Sequence, residues 1–454
     1  MDLPHKAKTR ILSFALTACL AAFIYSGSAN TPIKLWQNQG YTVNGFFLNF
    51  YLSIKESFII KPEGYGEEKI QELENNYTGG GATYDNDAPN IIIIMNESFS
   101  DLSVLGNNFA TNKAVMPFFN SLHENTIRGY AYSSVFGGGT ANSEFEVLTG
   151  LSMAMLPNSS IPYEQYIKKE IYALPVLLNE LGYKSIASHP YHASGWARTT
   201  IYPLMGFSEA TFIEDYPKQD FVRYYISDLE VYKYLLNKLD EKEQSEKLFI
   251  MGITMQNHGG YNSSPEEFTK TIELEGVDAS YPRAEEYLSL INLSDAALEY
   301  LLTELERYEE KTVLLFFGDH LPSIEKELFD EIHGAPFSTL DEQMLQYKVP
   351  FLIWANYDIQ EQTIDGTSLN YLGRYLLEAA GIELPPYFQF LKEMEESIPV
   401  ITGNGYMSKE KGSFADIKDA KGIEMQWINN YSILQYNSLF DEKNMSQVFF
   451  DVKQ

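Results

Sequence analysis

The sequence predicts an α/β protein, an α/β/α sandwich around a mainly parallel central sheet with a smaller C-terminal α+β subdomain. Two observations carry this. Continuous β-branched and aromatic runs recur along the chain, and helical patterns separate them. Asn90-Ile91-Ile92-Ile93-Ile94-Met95 has no polar alternation, the mark of a strand buried on both faces of a parallel sheet. Similar runs occupy Lys184 to Ala187, Lys247 to Thr254, Thr312 to Phe317 and Val349 to Trp354. Between them, Leu174 to Leu181 and Tyr287 to Tyr308 read as helices. The last 70 or so residues lose the alternation.

The 454 residues divide by pattern into 1–29, a signal anchor or transmembrane segment; 30–87, an amphipathic connector; 88–380, the main domain; and 381–454, the C-terminal subdomain. Lys6, Lys8 and Arg10 precede an uncharged run from Ile11 to Tyr25, the layout of a signal peptide or anchor. The positive flank places the N-terminus inside and the remainder outside the membrane. Ser26 to Ala29 would serve a signal peptidase, Leu16-Thr17-Ala18-Cys19 resembles a lipobox, and a buried core helix is the remaining reading. Gly45 to Phe58 reads as a membrane-hugging segment.

A net charge of -29 excludes nucleic acid as a partner, because phosphate backbones need clustered Lys and Arg. It also excludes electrostatic adhesion to an anionic bilayer. With Cys19 as the single cysteine, no intrachain disulfide is available.

In parallel sheets reactive groups gather beyond the carboxyl ends of the strands. The first run leads into Glu97, and Thr312 to Phe317 leads into Gly318-Asp319-His320, where glycine would allow a sharp turn and the next two residues offer an oxygen and a nitrogen ligand. Phe136 to Phe145 (FGGGTANSEF) places Thr140 after three glycines, just ahead of a helix start for which Ser143 and Glu146 read as a capping box. A hydroxyl there meets positive dipole and free N–H groups, which favour an alkoxide and a phosphate. His189, His192, Trp196 and Arg198 follow another strand, and Gln256-Asn257-His258-Gly259 a fourth. Arg198 could fork onto phosphate oxygens, His189 or His258 could donate to them, and Trp196 could pack on a glycerol carbon face. Taken singly, each residue has an ordinary explanation as a cap, a surface carboxylate or a loop residue.

Taken in order, the motifs N-I-I-I-I-M-N-E-S, G-G-G-T-A-N-S-E-F, H-x6-W-x-R, N-H-G and G-D-H resemble the lipoteichoic acid synthase family of phosphoglycerol transferases. That family lies within the alkaline phosphatase-like, sulfatase-containing superfamily, and the resemblance runs from about Asn90 to at least Trp354. It implies an alkaline phosphatase-like fold over 88–380. It also implies one divalent cation, usually manganese with magnesium or zinc as substitutes, held by Glu97, Thr140, Asp319 and His320. Thr140 would be the catalytic nucleophile, and His189, Trp196, Arg198 and His258 would bind the substrate head group. The implied reaction moves glycerophosphate from phosphatidylglycerol, through a covalent threonine adduct, to a cell-envelope glycan or glycolipid at the membrane. The family's full-length members carry several transmembrane helices, whereas the N-terminal segment here reads as a single anchor with an extracytoplasmic catalytic domain behind it.

Gly139 stands where polymer-building synthases often have lysine, and N-E-S-F-S-D is worded more like relatives that decorate wall polysaccharides. Lipoteichoic acid and wall polysaccharide both stay open as acceptors. A metal-dependent phosphodiesterase or hydrolase of the same fold could use every residue named. A sulfatase needs Cys or Ser in a C/S-x-P-x-R context. Ser160-Ile161-Pro162 continues to Glu164, and Ser280-Tyr281-Pro282 has Arg283 one place early.

Overall fold

A computed structural model describes residues 58–77, 88–158, 160–217 and 220–451, with 13–14, 45–48 and 50. The expected N-terminal anchor and most of the membrane-hugging segment lie outside the described residues. Among the described residues no helix is long and apolar enough to cross a membrane. The chain divides into two compact units, Met1–Ile60 with Leu156–Ser160, and Lys61–Met155 with Ile161–Gln454. In the first, residues 45–48 are helical and Phe46 and Phe47 are exposed. All that follows concerns the second.

Its centre is an eight-stranded sheet: β1 (Asn90–Asn96), β2 (Thr126–Tyr132), β3 (Tyr183–Ser188), β4 (Glu209–Thr211), β5 (Lys247–Ile253), β6 (Thr312–Gly318), β7 (Lys348–Ala355) and β8 (Gln362–Ser368). The spatial order is β8-β2-β7-β6-β1-β5-β3-β4. β6, β1, β5, β3 and β4 pair in parallel, and β8 pairs in parallel with β2. Only β7 is reversed, antiparallel to both β6 and β2. The sheet is thus mainly parallel, as the sequence predicts, and the one reversed strand is the Val349 to Trp354 run. β7 is as buried as its neighbours, and a strand covered on both faces shows no alternation in either direction.

β1 lies at the centre, every residue buried, with β5 on one edge and β6 on the other. Each of its four isoleucines contributes roughly 2 kcal/mol by leaving water. Helices α1 (Thr140–Thr149), α2 (Leu174–Glu180), α3 (Arg198–Leu204), α4 (Asp228–Glu241), α5 (Pro282–Glu306) and α6 (Leu372–Ala379) connect or cover the strands. α2 packs on β3, α4 on β5 and on α5, and α6 on β6 and β7. The C-terminal residues add α7 (Pro386–Ser397), a small antiparallel sheet of β9 (Val400–Thr402), β10 (Gly405–Ser408) and β11 (Ser413–Ala415), and α8 (Gly422–Phe440).

Candidate active site

Register brings the first three candidate residues together. β1 and β6 pair in parallel with Asn96 opposite Gly318, so Glu97 and Asp319 leave the sheet edge side by side. Glu97, Asp319 and His320 are buried, and each offers a ligand atom within 4.8 Å of the others. His320 Nε2 lies 3.2 Å from Asp319 Oδ2 and 3.7 Å from Glu97 Oε1.

The approach depends on Gly318, for a reason other than the turn that the sequence suggests. Gly318 is absent from the positive-φ residues. A Cβ there would sit 1.8 Å from the carbonyl oxygen of Phe99, in the turn carrying Glu97. Gly318→Ala is accordingly expected to cost at least about 2 kcal/mol of stability, since backbone must move to admit the methyl group. Thermal denaturation beside wild type measures it, and an unchanged midpoint would contradict this account of Gly318.

Ser98 completes the turn at φ 53, a left-handed conformation that non-glycine residues hold only under constraint. Its N–H donates to Asp319 Oδ1 at 2.7 Å. Tyr287 pins the same turn by donating to the Ser98 carbonyl at 2.9 Å.

Thr140 arrives from the carboxyl end of β2. Gly137, Gly138 and Gly139 all have positive φ, at 68°, 148° and 94°, which is why three glycines precede it. The helix starts at Thr140 itself, with Gly139 as N-cap and no side-chain cap. The expected capping box is corrected. Ser143 lies one turn inside the helix and donates to the Asp319 carbonyl at 2.8 Å, while Glu146 accepts from Ser134, Ser152 and the Met153 N–H. All ten residues of α1 are buried, so its positive end lies in a low-dielectric site. The Thr140 hydroxyl donates to Glu97 Oε2 at 3.2 Å, beside the three-residue cluster.

This donor set fits a divalent cation. Asp319 Oδ2 and His320 Nε2 are buried and lack hydrogen-bond partners, although they face each other. His320 Nδ1 lies 3.0 Å from the Leu321 carbonyl, which can only accept. The ring proton is therefore on Nδ1, and Nε2 presents its lone pair, the usual arrangement for a metal-binding histidine. Burial first, then the adjacent charge of Glu97, pushes the Asp319 carboxyl up to about 6. With its folded pKa raised above the ordinary carboxylate value, Asp319 contributes stability to the metal-free protein only at low pH. That contribution is lost as pH rises through about 6. A cation offsets the repulsion but requires the ionised form. Manganese affinity is thus expected to be level above about pH 7 and to weaken as pH falls through about 6, measured by isothermal titration. Affinity independent of pH across that interval would contradict the assignment.

The remaining candidates line the neighbouring strand ends. His189 follows β3 and is 2% exposed. Burial, then Arg198, then His258 hold its pKa well below the ordinary imidazole value, so it is neutral. Arg198 Nη1 lies 3.3 Å from its Nε2 and can only donate, which leaves the proton on Nδ1. That Nδ1 is buried with no hydrogen-bond partner, a donor held in reserve.

Arg198 itself is buried, with Nε and Nη2 both donating to Glu144 Oε2 at 3.1 and 2.8 Å. Glu144, on the same helix as Thr140, thus takes the Nε–Nη2 edge of the fork that the sequence reading aims at phosphate. Trp196 is half-buried in the turn before α3, where it and Ala197 both have φ 53. His192 faces solvent, 3.0 Å from Glu214.

After β5, Gln256 and Asn257 turn inward. Asn257 donates to Asn96 and to Ser294, and Asp228 Oδ2 accepts from both of those side chains. This buried network ties the ends of β1 and β5 to α4 and α5. His258 remains exposed. Sequence reasoning gave no role to Ser98, Glu144 or Asp228, although the first two stand inside the motifs it singled out. N-H-G was the one legible signal for the network, and its asparagine looks like a loop residue until Asn96 is seen beside it.

Sheet order and flanking helices together define an alkaline phosphatase-like fold, with the buried carboxylate–histidine cluster at its carboxyl edge. The chain belongs to the sulfatase family, whose profile matches residues 89–382. A Rhizobium meliloti protein assigned by its name, provisionally, to cyclic beta-1,2-glucan modification is 29% identical over 431 residues. The match covers 92% of this chain and 65% of that protein, so the chain spans under two thirds of that relative's length. The structure is similar to that of Streptococcus pyogenes phosphoglycerol transferase GacH in complex with sn-glycerol-1-phosphate. There the TM-score is 0.69 and identity 23%, over 87% of this chain and 100% of that one. Lipoteichoic acid synthase LtaP from Listeria monocytogenes shares the fold with TM-score 0.57 and 17% identity, over 82% of this chain and 97% of that one.

Proposed function

We propose that this protein is a metal-dependent phosphoglycerol transferase that uses Thr140 as nucleophile. The observation that carries this reading is the Thr140 hydroxyl at the buried start of α1, donating to Glu97 within the Glu97–Asp319–His320 cluster. A threonine hydroxyl is a poor nucleophile at neutral pH. Glu97, Asp319 and His320, with Thr140 Oγ1, would hold one cation of the manganese class, whose charge lowers the cost of deprotonating that hydroxyl.

Thr140 Oγ1 attacks the phosphorus of phosphatidylglycerol. A new O–P bond forms, the P–O bond to diacylglycerol breaks, and the diacylglycerol oxygen gains the proton that Thr140 loses. In the second half, an acceptor hydroxyl attacks the same phosphorus, the Thr140 O–P bond breaks, and the acceptor's proton returns to Thr140. The N–H groups opening α1 face the phosphate. His189 Nδ1, His258 and the turn carrying Trp196 hold the glycerophosphoryl group. Arg198 acts from behind, its charge balanced by Glu144 and its Nη1 donating to His189 Nε2.

The glycerol-phosphate complex of the similar Streptococcus structure and the glucan-modifying name of the Rhizobium relative support phosphoglyceryl transfer to an envelope glycan or glycolipid. The catalytic domain would work outside the cytoplasm, at the membrane that supplies the donor. Sulfate-ester hydrolysis, which the family name suggests, is disfavoured because a threonine occupies the nucleophile position and no C/S-x-P-x-R segment is present.

Incubation with manganese and head-group-labelled phosphatidylglycerol, with and without a glycan acceptor, tests the proposal. Release of diacylglycerol with label on the glycan is expected. Label appearing only as free glycerol phosphate in both arms would point instead to a hydrolase.

A further inference from the structure

A short ribbon, Phe221–Val222 paired with Tyr225–Ile226, grips the loop after β5 from outside. Between its strands Arg223 is held at φ 56. Its side chain is buried and paired with Glu286 at 3.3 Å, and Nη2 donates to the carbonyls of Gln256 and His258 at 2.9 and 2.7 Å. The backbone of His258 is therefore fixed to the ribbon.

The His258 ring is fixed too. Tyr225 Oη lies 3.0 Å from His258 Nδ1, with ring centroids 5.3 Å apart. Tyr225 is half-buried, and that burial raises its pKa against the opposing charge of Arg223. His258 in turn lies near enough to His189 to help depress its pKa. Tyr191 lies between, its ring 6.5 Å from that of Tyr225 and 6.1 Å from that of His189, so the Tyr225–His258 pair belongs to the ring cluster on the His189 side of the site.

Which atom holds the proton follows from acidity. A phenol is a much stronger donor than a neutral imidazole N–H, so the phenol proton points at Nδ1. The other ring nitrogen must then be protonated. We propose that Tyr225 is a positioning residue that fixes His258 as its Nε2–H tautomer, so that the imidazole meets the substrate as a hydrogen-bond donor to an anionic phosphoryl oxygen. This rests on the phosphoglycerol reading for the identity of the ligand, though not for the tautomer.

The tautomer is read directly by long-range 1H–15N correlation on the full chain labelled with 15N-histidine, at about pH 8, where an ordinary imidazole is neutral. His258 is assigned by its loss in His258→Gln. Wild type is expected to show the Nε2–H pattern, and Tyr225→Phe, which keeps the ring and loses the hydroxyl, a mixture of tautomers. An Nδ1–H pattern in wild type, or an identical pattern in Tyr225→Phe, would overturn the proposal.

Titration with sn-glycerol 1-phosphate supplies the second arm. Tyr225→Phe should weaken binding about 3- to 10-fold, the worth of one oriented hydrogen bond. In the His258→Gln background, where the side-chain amide donates without a tautomer to fix, the same change should cost nothing further. Equal losses in both backgrounds would count against the coupling. Should wild type fail to bind glycerol phosphate at all, the phosphoglycerol reading falls, while the spectra still decide the role of Tyr225.

Discussion

Thr140→Ala protein is expected to fold and to hold its cation, yet to release diacylglycerol from phosphatidylglycerol at least about 1,000-fold more slowly than wild type. That factor corresponds to about 4 kcal/mol of lost transition-state stabilisation, a modest figure for deleting a nucleophile. The fold should survive because the Thr140 side chain makes no cap: Gly139 is the N-cap of α1, and the helix is anchored elsewhere. At its far end the Gly150 carbonyl accepts from the hydroxyls of Tyr387 and Tyr431, and Gln435 bonds both the N–H and the carbonyl of Ser152. Near its start, Ser143 holds Asp319 in place independently of residue 140. Thr140→Ser keeps the hydroxyl and should keep measurable activity. Head-group release by Thr140→Ala at the wild-type rate would show that another group makes the bond.

Asp319→Asn should separate metal binding from folding in the opposite sense. The Oδ1 position still accepts from the Ser98 and His320 N–H groups, at 2.7 and 2.9 Å in the wild-type structure. The charge, however, is gone. Manganese affinity is expected to fall at least about 100-fold, since the variant lacks one of the two acidic ligands. The metal-free variant should nonetheless melt at or above the temperature of metal-free wild type, because burial and Glu97 oppose the Asp319 charge that it lacks. Added manganese should then raise the wild-type midpoint and leave that of the variant nearly unmoved. Equal manganese stabilisation of the two proteins would remove Asp319 from the metal site. Metal content after purification gives the same comparison without heating.

These outcomes turn on residues whose visibility in the sequence differs for physical reasons. Glu97 and Asp319-His320 were legible because each ends an uninterrupted apolar run, and such runs in a parallel sheet deliver side chains to one edge. Thr140 was legible from three glycines. The direction of β7 was not, since burial on both faces erases the periodicity that would report it. β2 and β8 were missed as strands. Thr-Ile-Arg-Gly-Tyr-Ala-Tyr and Gln-Thr-Ile-Asp-Gly-Thr-Ser mix polar residues and glycine, and they pair only because β7 and each other supply partners.

Ser143 and Glu146 misled because S-x-x-E has the same spacing one turn inside a helix as at its start. What stayed hidden in the site is what crosses the chain. Glu144 meets Arg198, 54 residues on, and Tyr225 meets His258, 33 residues on. No local pattern announces either pair. Both are contacts between separate segments, so the sequence shows Arg198 without Glu144 and suggests a phosphate fork.

The central claim is a covalent glycerophosphoryl group on Thr140, and peptide mass spectrometry after brief reaction with phosphatidylglycerol and manganese, without acceptor, tests it most directly. A mass increase of one glycerophosphoryl unit is predicted on the peptide containing Thr140, absent from the Thr140→Ala protein and discharged when acceptor is added. The same increase on Ser98 or Ser143, or diacylglycerol release with no adduct at any time point, would contradict it.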